Sequence, residues 1–298
     1  MNSVKNTTLI RSQLRSWYRA SKKEYPWRSD SSSAYAILVA EFMLQQTQAA
    51  RVAQLLPVFL VAFPTIEALA SAGTAQVVKA WRGLGYNTRA IRLRDTARHI
   101  VESYNGIIPS SPEVLRQFPG IGDYASNSLP CFIYNKRTIV VDVNVRRVYS
   151  RWIHKQTNTS HLESLPTVKE FANSIIPRSN ASEWHHAVMD LGATICKARL
   201  ANCKQCPIET LCPSAGLPQA PLQSIKKREP SLRGRPRRLW RGHFIELLRN
   251  AGDRGLTLRE LLPDEDALTN EHNEWMSILH SLQDEGLITV GKRVRLCD

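Results

Sequence analysis

The sequence contains no long apolar run. No window approaches the roughly 18 consecutive apolar residues that a membrane-crossing helix needs, so a membrane span is excluded by the pattern of residues. The start, Met1-Asn2-Ser3-Val4-Lys5-Asn6, is polar and lacks the apolar segment of a secretory signal. Both absences point to a cytoplasmic chain, where thiols stay reduced and clustered cysteines bind metal more readily than they form disulfides. Strand-type alternation is scarce before residue 215. The one β-branched run, Thr138-Ile139-Val140-Val141, is short, and no internal repeat is visible. Acidic residues are also few: 26 Asp and Glu face 40 Lys and Arg, a formal net charge of +14. Such an excess points to a polyanionic partner, because phosphates relieve the self-repulsion of a basic surface.

What is present is mainly helical. With 298 residues, 43% of them hydrophobic, the chain is long enough for one large or two modest domains with a real core. Leu9, Ile10, Leu14, Trp17 and Tyr18 repeat at helical spacing over 7–22. Three serines, Ser31 to Ser33, precede an apolar helix from about Ala34 to Gln46. Amphipathic segments follow at 49–62, 74–80 and 88–104, separated by Phe63-Pro64, Gly83-Leu84-Gly85 and the stretch Pro109 to Pro112. The fold class expected is all-α up to about residue 215.

The character changes at 216–241. Pro218, Pro221, Pro230 and Pro236 interrupt any helix, and a run of basic residues from Lys226 to Arg241 faces only Glu229. This reads as a basic linker over 216–238, or an arm that follows a phosphate backbone. Residues 239–285 offer three helical segments, and Leu287 to Leu296 reads as a β-hairpin. Helices followed by a hairpin suggest a small winged-helix-like module at 239–298, which either clamps DNA through Arg293 and Arg295 in its wing or packs on the catalytic body.

Four of the six cysteines are crowded together. Cys196, Cys203, Cys206 and Cys212 follow the spacing C-x6-C-x2-C-x5-C, and Pro213 comes directly after. Four thiolates in so short a loop suit a cubane iron–sulfur cluster, whereas a structural zinc usually uses two separated C-x2-C pairs. Cys131 and Cys297 fall outside this set. The cysteine loop also carries Lys197, Arg199 and Lys204, cations that a fixed loop offers to phosphates or that are simply solvated.

A second motif is a glycine turn. Phe118-Pro119-Gly120-Ile121-Gly122-Asp123-Tyr124 joins the end of one helix to the start of another. Gly120 and Gly122 permit backbone conformations that align consecutive N–H groups into a phosphate seat. Taken alone, the same pattern is as often a plain turn.

Several motifs occur in order. Glu41-Phe42-Met43-Leu44-Gln45-Gln46-Thr47-Gln48 comes first, then Gly83-Leu84-Gly85-Tyr86 and Phe118-Pro119-Gly120-Ile121-Gly122. Val141-Asp142-Val143-Asn144-Val145-Arg146-Arg147-Val148, Met189-Asp190-Leu191-Gly192-Ala193 and the four-cysteine loop complete the series. The set resembles the helix-hairpin-helix DNA glycosylase superfamily and, within it, the MutY-type adenine glycosylases, over residues ~9–213.

The resemblance implies a two-lobed all-α catalytic region at 1–215, a [4Fe-4S] cluster on Cys196, Cys203, Cys206 and Cys212, and a mismatched duplex DNA as partner of a monomeric, nucleoid-associated enzyme. It assigns Glu41 as the acid that protonates the leaving adenine and Asp142 as the carboxylate at the sugar. Gln46 and Tyr86 match positions that wedge the helix beside the flipped base. Gly120, Gly122, Lys197 and Arg199 are the remaining DNA-binding candidates.

The chemistry agrees with these roles. A base inside the stack must be extruded before it can be attacked, and adenine leaves only once a ring nitrogen is protonated, which requires a general acid. A carboxyl in an apolar wall such as Ile37 to Leu44 can hold its proton. A carboxylate at the sugar stabilises oxocarbenium charge. Read without the resemblance, Glu41 is a helix-surface acid and Asp142 an N-cap of the helix over 144–150. Tyr124 occupies the slot where bifunctional relatives such as endonuclease III place a Schiff-base lysine, so glycosylase action without β-elimination is expected.

The residues after Cys212 are too few for the Nudix-like domain of typical MutY enzymes, which leaves selectivity for 8-oxoguanine open. A thymine or uracil glycosylase acting on G·T or G·U pairs is the alternative. A non-catalytic winged-helix DNA-binding regulator is the third reading.

Overall fold

The computed structural model describes residues 7–153, 162–218, 231–263 and 271–298. The described chain is mainly helical, and none of its helices is long and apolar enough to cross a membrane. It forms two compact units: Met1–Tyr25 with Ser110–Gln117 and Ile121–Ile225, and Pro26–Pro109 with Phe118–Gly120 and Lys226–Asp298.

The first unit is built from α1 (Thr7–Ser21), α7 (Pro112–Leu115), α8 (Asp123–Tyr134), α9 (Val143–Ile153), α10 (Leu165–Ile175) and α11 (Ala181–Thr194). In α1 the buried residues are Ile10, Leu14 and Tyr18, one face at four-residue spacing. They join Val145, Val148, Tyr149 and Trp152 of α9 and Trp184, Val188 and Leu191 of α11 in one core. Trp184 donates its indole N–H to the Tyr149 hydroxyl at 2.9 Å, so these two buried polar rings satisfy each other. Glu183 on α11 accepts from Arg15 and Arg19 of α1, each at 2.6 Å.

His185 lies in the same core, fully buried, with Nε2 at 2.9 Å from the Thr138 carbonyl. Its Nδ1 has no partner among the described residues. Burial pushes its pKa down from 6.5 to about 4, opposed only by the Thr138 contact. The native state therefore binds this proton only near pH 4, while the unfolded chain binds it near 6.5. Between those values the unfolded state holds more protons, so stability falls as the pH drops through that window, by ~3 kcal/mol in total from this group. His185→Gln, which keeps a donor for Thr138, is expected to remove that part of the slope. Denaturant unfolding above and below the window, on both proteins, checks it.

The second unit contains α2 (Ala34–Leu44), α3 (Ala49–Ala62), α4 (Ile66–Ser71), α5 (Thr74–Ala80) and α6 (Thr88–Tyr104). Ser33 caps α2, its hydroxyl accepting from the Ala36 amide at 3.1 Å. Every residue of α2 from Ala36 to Met43 is buried, so the helix runs through the interior rather than lying on it.

Its C-terminal portion comprises α12 (Arg237–Ala251), α13 (Leu258–Leu261), α14 (His272–Asp284) and an antiparallel hairpin, β3 (Ile288–Val290) against β4 (Val294–Leu296). A further two-residue pair, β1 (Ser231–Leu232) and β2 (Arg235–Pro236), precedes α12. The end of the segment expected to be linker is therefore ordered, and α12 opens at Arg237 rather than at 239; residues 219–230 lie outside the described ones.

Trp240, Phe244 and Leu248 of α12, Trp275 and Leu279 of α14 and Val294 of β4 share a core with Val78 of α5. Arg249 of α12 donates to the Val78 carbonyl at 3.0 and 2.8 Å, and Arg82 donates to Asn250 at 2.6 Å. Arg293, in the turn between β3 and β4, donates to the Gly255 carbonyl at 3.1 Å and pairs with Glu260 at 3.4 Å.

Candidate active site

Glu41 sits in the last turn and a half of α2, 5% exposed, with Phe42 and Met43 fully buried beside it. The surface-acid reading is thereby excluded: this carboxyl belongs to an interior helix. The turn that follows α2 holds Gln46 at φ 60, and the turn before α6 holds Tyr86 at φ 44. Both are left-handed, a region costly for side chains other than glycine. Tyr86 is 52% exposed and Gln46 is exposed.

What sustains these two turns is Arg89, near the start of α6 and 6% exposed. Its Nη1 donates to the carbonyls of Phe42 (3.0 Å), Met43 (2.9 Å) and Gln45. Its Nη2 donates to the Thr47 hydroxyl (3.0 Å) and to the carbonyls of Leu84 (3.0 Å) and Gly85 (3.1 Å). The last carbonyls of a helix lack intrahelical donors and carry negative partial charge, so a guanidinium fork placed there satisfies the end of α2 and both turns at once. Burial lowers the Arg89 pKa to about 10, with Tyr86 acting in the opposite sense; the group stays charged at neutral pH. Sequence reading missed it. The available signal was a cation on the inward face of α6, in register with the buried Leu93, Ala97 and Ile100.

Gly120 has φ +76, and a Cβ there would lie 2.9 Å from Phe42 Cε1 and 2.9 Å from Arg92 Cβ. Glycine is required at that position both by conformation and by packing. Gly122 is different: its φ is −92, it precedes α8, and nothing lies within 4 Å of where a Cβ would stand. The protein's own packing does not demand glycine there. Tyr124 follows in the first turn of α8, half-buried against the first unit's core.

Asp142 stands at the start of α9. Its Oδ1 accepts from the Val145 amide at 2.7 Å and its Oδ2 from the Asn144 amide group at 3.0 Å. It is therefore an N-cap, although the helix starts at Val143 and not at Asn144. Burial raises its pKa, opposed by the bonds from Val145 and Asn144 and by the charge of Arg147.

Asn144 passes the constraint on: its Oδ1 accepts from Arg147 at 2.8 Å, and Arg147 donates to the Gly192 carbonyl at 2.7 Å and the Cys196 carbonyl at 2.9 Å. Gly192 lets α11 come so close that a Cβ on it would meet Asn144 Cβ at 2.8 Å. The chain of contacts runs from the capping carboxylate through α9 and α11 to the cysteine loop.

Cys196, Cys203, Cys206 and Cys212 line one cavity with Arg151 and Trp152. Arg151 donates to Cys196 Sγ at 3.0 Å and to the Lys197 carbonyl at 3.0 Å. Burial pushes Cys206 up to about 12 and Cys212 up to about 11, the neighbouring cysteines adding to it. Among the described residues the thiols are not drawn together into metal-ligand geometry. The donor set nevertheless fits an iron–sulfur cluster: four soft thiolate ligands lie on one short loop, and a bound cation would ionise Cys206 and Cys212 against their burial. Cys131 is buried in the core, apart from this cavity. Lys197, Arg199 and Lys204 are exposed on the loop.

Residues 39–173 match the family described as HhH-GPD superfamily base excision DNA repair protein. The chain is 39% identical over 240 residues to the adenine DNA glycosylase of Mycobacterium tuberculosis (strain H37Rv), covering 80% of this chain and 78% of that one. It is 33% identical over 207 residues to the thymine-DNA glycosylase of Aeropyrum pernix, covering 68% and 92%. The solved structure of a thermostable thymine-DNA glycosylase superposes with a TM-score of 0.65 at 25% identity, over 71% of this chain and 97% of the other. With an interior acid on α2, a glycine turn ahead of α8 and a capping aspartate tied to a four-cysteine loop, the chain belongs to the HhH-GPD superfamily of base excision DNA repair proteins.

Proposed function

We propose that this chain is a monofunctional DNA glycosylase that hydrolyses the N-glycosidic bond of adenine mispaired with guanine or 8-oxoguanine. The observation that carries the reading is the 39% identity to an adenine DNA glycosylase over 240 residues, against 33% for the thymine-specific relative. The wedge residues support it: Gln46 and Tyr86 are exposed on turns whose left-handed backbone is held by Arg89.

In this reading duplex DNA is bound and the adenine is extruded. Glu41 donates a proton to a ring nitrogen, so the base leaves neutral while electrons of the glycosidic bond pass to it. Asp142, fixed by Val145 and Asn144, meets the positive charge that develops on the sugar. Water completes the hydrolysis. Tyr124 has no amine, so no Schiff base forms and the strand stays intact. The open space at Gly122 suits a phosphate drawn close to backbone N–H groups.

Cys196, Cys203, Cys206 and Cys212 would hold a [4Fe-4S] cluster, which when bound supplies a rigid anchor for a loop presenting Lys197 and Arg199 to phosphates. Equimolar iron and acid-labile sulfide in the purified protein, lost in Cys206→Ser, is the expected result.

A panel of duplexes carrying A·G, A·8-oxoguanine, G·T and G·U pairs, developed with hot alkali, tests the substrate. Cleavage after alkali at the first two only is expected. Cleavage at G·T or G·U instead would transfer the chain to the thymine or uracil class, and nicking without alkali would remove the monofunctional assignment.

A further inference from the structure

The second unit contains a cavity of about 720 Å³ that the glycosylase chemistry does not use. One wall is the turn that carries Tyr86 and Asn87; the other is β2 and the first half of α12, with Arg235, Arg238, Arg241 and His243. Three arginines and one glutamate, Glu285, line it. Glu285 is occupied by Arg241 at 2.5 Å, which leaves the lining positive. Arg235 is held over the Trp240 ring at 4.8 Å, and Arg238 is exposed.

The two walls form one piece. Arg249 of α12 donates to Asn87 Oδ1 at 2.7 Å, next to Tyr86, as well as to Val78. Arg82 pairs with Glu246 across the same junction. Each wall also leaves open space at a glycine: at Gly85 and at Gly242 nothing lies within 4 Å of where a Cβ would stand.

We propose that this groove is a second DNA-binding site, taking the sugar–phosphate backbone of duplex DNA beside Tyr86. Arg235 and Arg238 contact phosphates, and the hairpin arginine Arg293 does not. The inference rests on the reading of Tyr86 as a DNA-wedging residue. Positive charge, room for a close approach at the two glycines and an exposed aromatic at the rim fit a phosphodiester chain better than an apolar ligand, and they read no sequence. The C-terminal helices then act as a backbone clamp built onto the wedge turn.

The experiment measures binding of the full-length protein to a fully matched duplex over a range of salt. Arg238→Glu is expected to weaken binding about tenfold at low salt and to lower the slope of log affinity against log salt by about 1; Arg235→Gln is expected to lower the slope by a similar amount. Arg293→Gln is expected to leave the slope unchanged. An unchanged slope in folded Arg238→Glu protein overturns the proposal, as does a slope that responds only to Arg293→Gln. A matched duplex separates this test from the catalytic reading. If the mismatch panel fails but the slopes shift as stated, the clamp stands; if excision is seen with unshifted slopes, the clamp alone is wrong.

Discussion

Asp142→Asn is expected to lower the single-turnover rate of adenine excision by about 10³-fold while leaving the fold and DNA binding intact. The substitution separates two roles that share one side chain. Asparagine caps a helix as well as aspartate does, so the bond to the Val145 amide survives and stability should change by less than about 1 kcal/mol. What is lost is the negative charge, and with it the group that meets cationic character at the sugar. Asp142→Ala should lose both, adding a cap penalty of about 1 kcal/mol to the same rate defect. Excision kinetics and thermal unfolding on both variants check this. Full activity in the asparagine variant would reduce Asp142 to a helix cap and leave the sugar charge to be met by another group.

The second large effect concerns Arg89. Replacing it with methionine removes donors from five carbonyls and the Thr47 hydroxyl within a buried junction. Each buried acceptor left without a donor costs ~1–3 kcal/mol, but water entering the gap serves several together. A total of about 3–5 kcal/mol is expected rather than the sum. Because Arg89 bonds the turns in which Gln46 and Tyr86 sit at positive φ, those turns should relax as well. Excision should then drop even at temperatures where the protein remains folded. Arg89→Lys keeps the charge but cannot reproduce a planar fork with two arms, so it should recover little of either loss. Urea unfolding and excision rates at saturating duplex decide the matter. A methionine variant as stable and as active as the parent would show that the turns are held by their own sequences.

The distribution of these effects explains why some features were readable before any coordinates. Helices α3, α5 and α6 begin and end where periodicity and Gly/Pro punctuation place them, because local spacing and breakers act within a few residues. The family was legible from Glu41, Asp142, the glycine turn and the cysteine spacing, since each is a short contiguous motif. Burial was harder. α2 is apolar all round, the pattern of an interior helix, but the single acid in it gave no local sign of whether its carboxyl shared that burial. Arg147 looked like an ordinary basic residue after Asp142, yet it is buried and bonded to Gly192 and Cys196, forty-five and forty-nine positions away.

The order of helices, the excess of basic charge and the family motifs were written into the chain itself, because they depend on residue type and on neighbours within a turn or two. Only tertiary packing decided that a single guanidinium would bond the turns of both Gln46 and Tyr86, that Arg293 would meet Gly255 and Glu260, and that α12 would line a basic groove beside Tyr86. Those outcomes turn on which distant carbonyls and carboxylates come within 3 Å of a donor, and no local pattern encodes that distance.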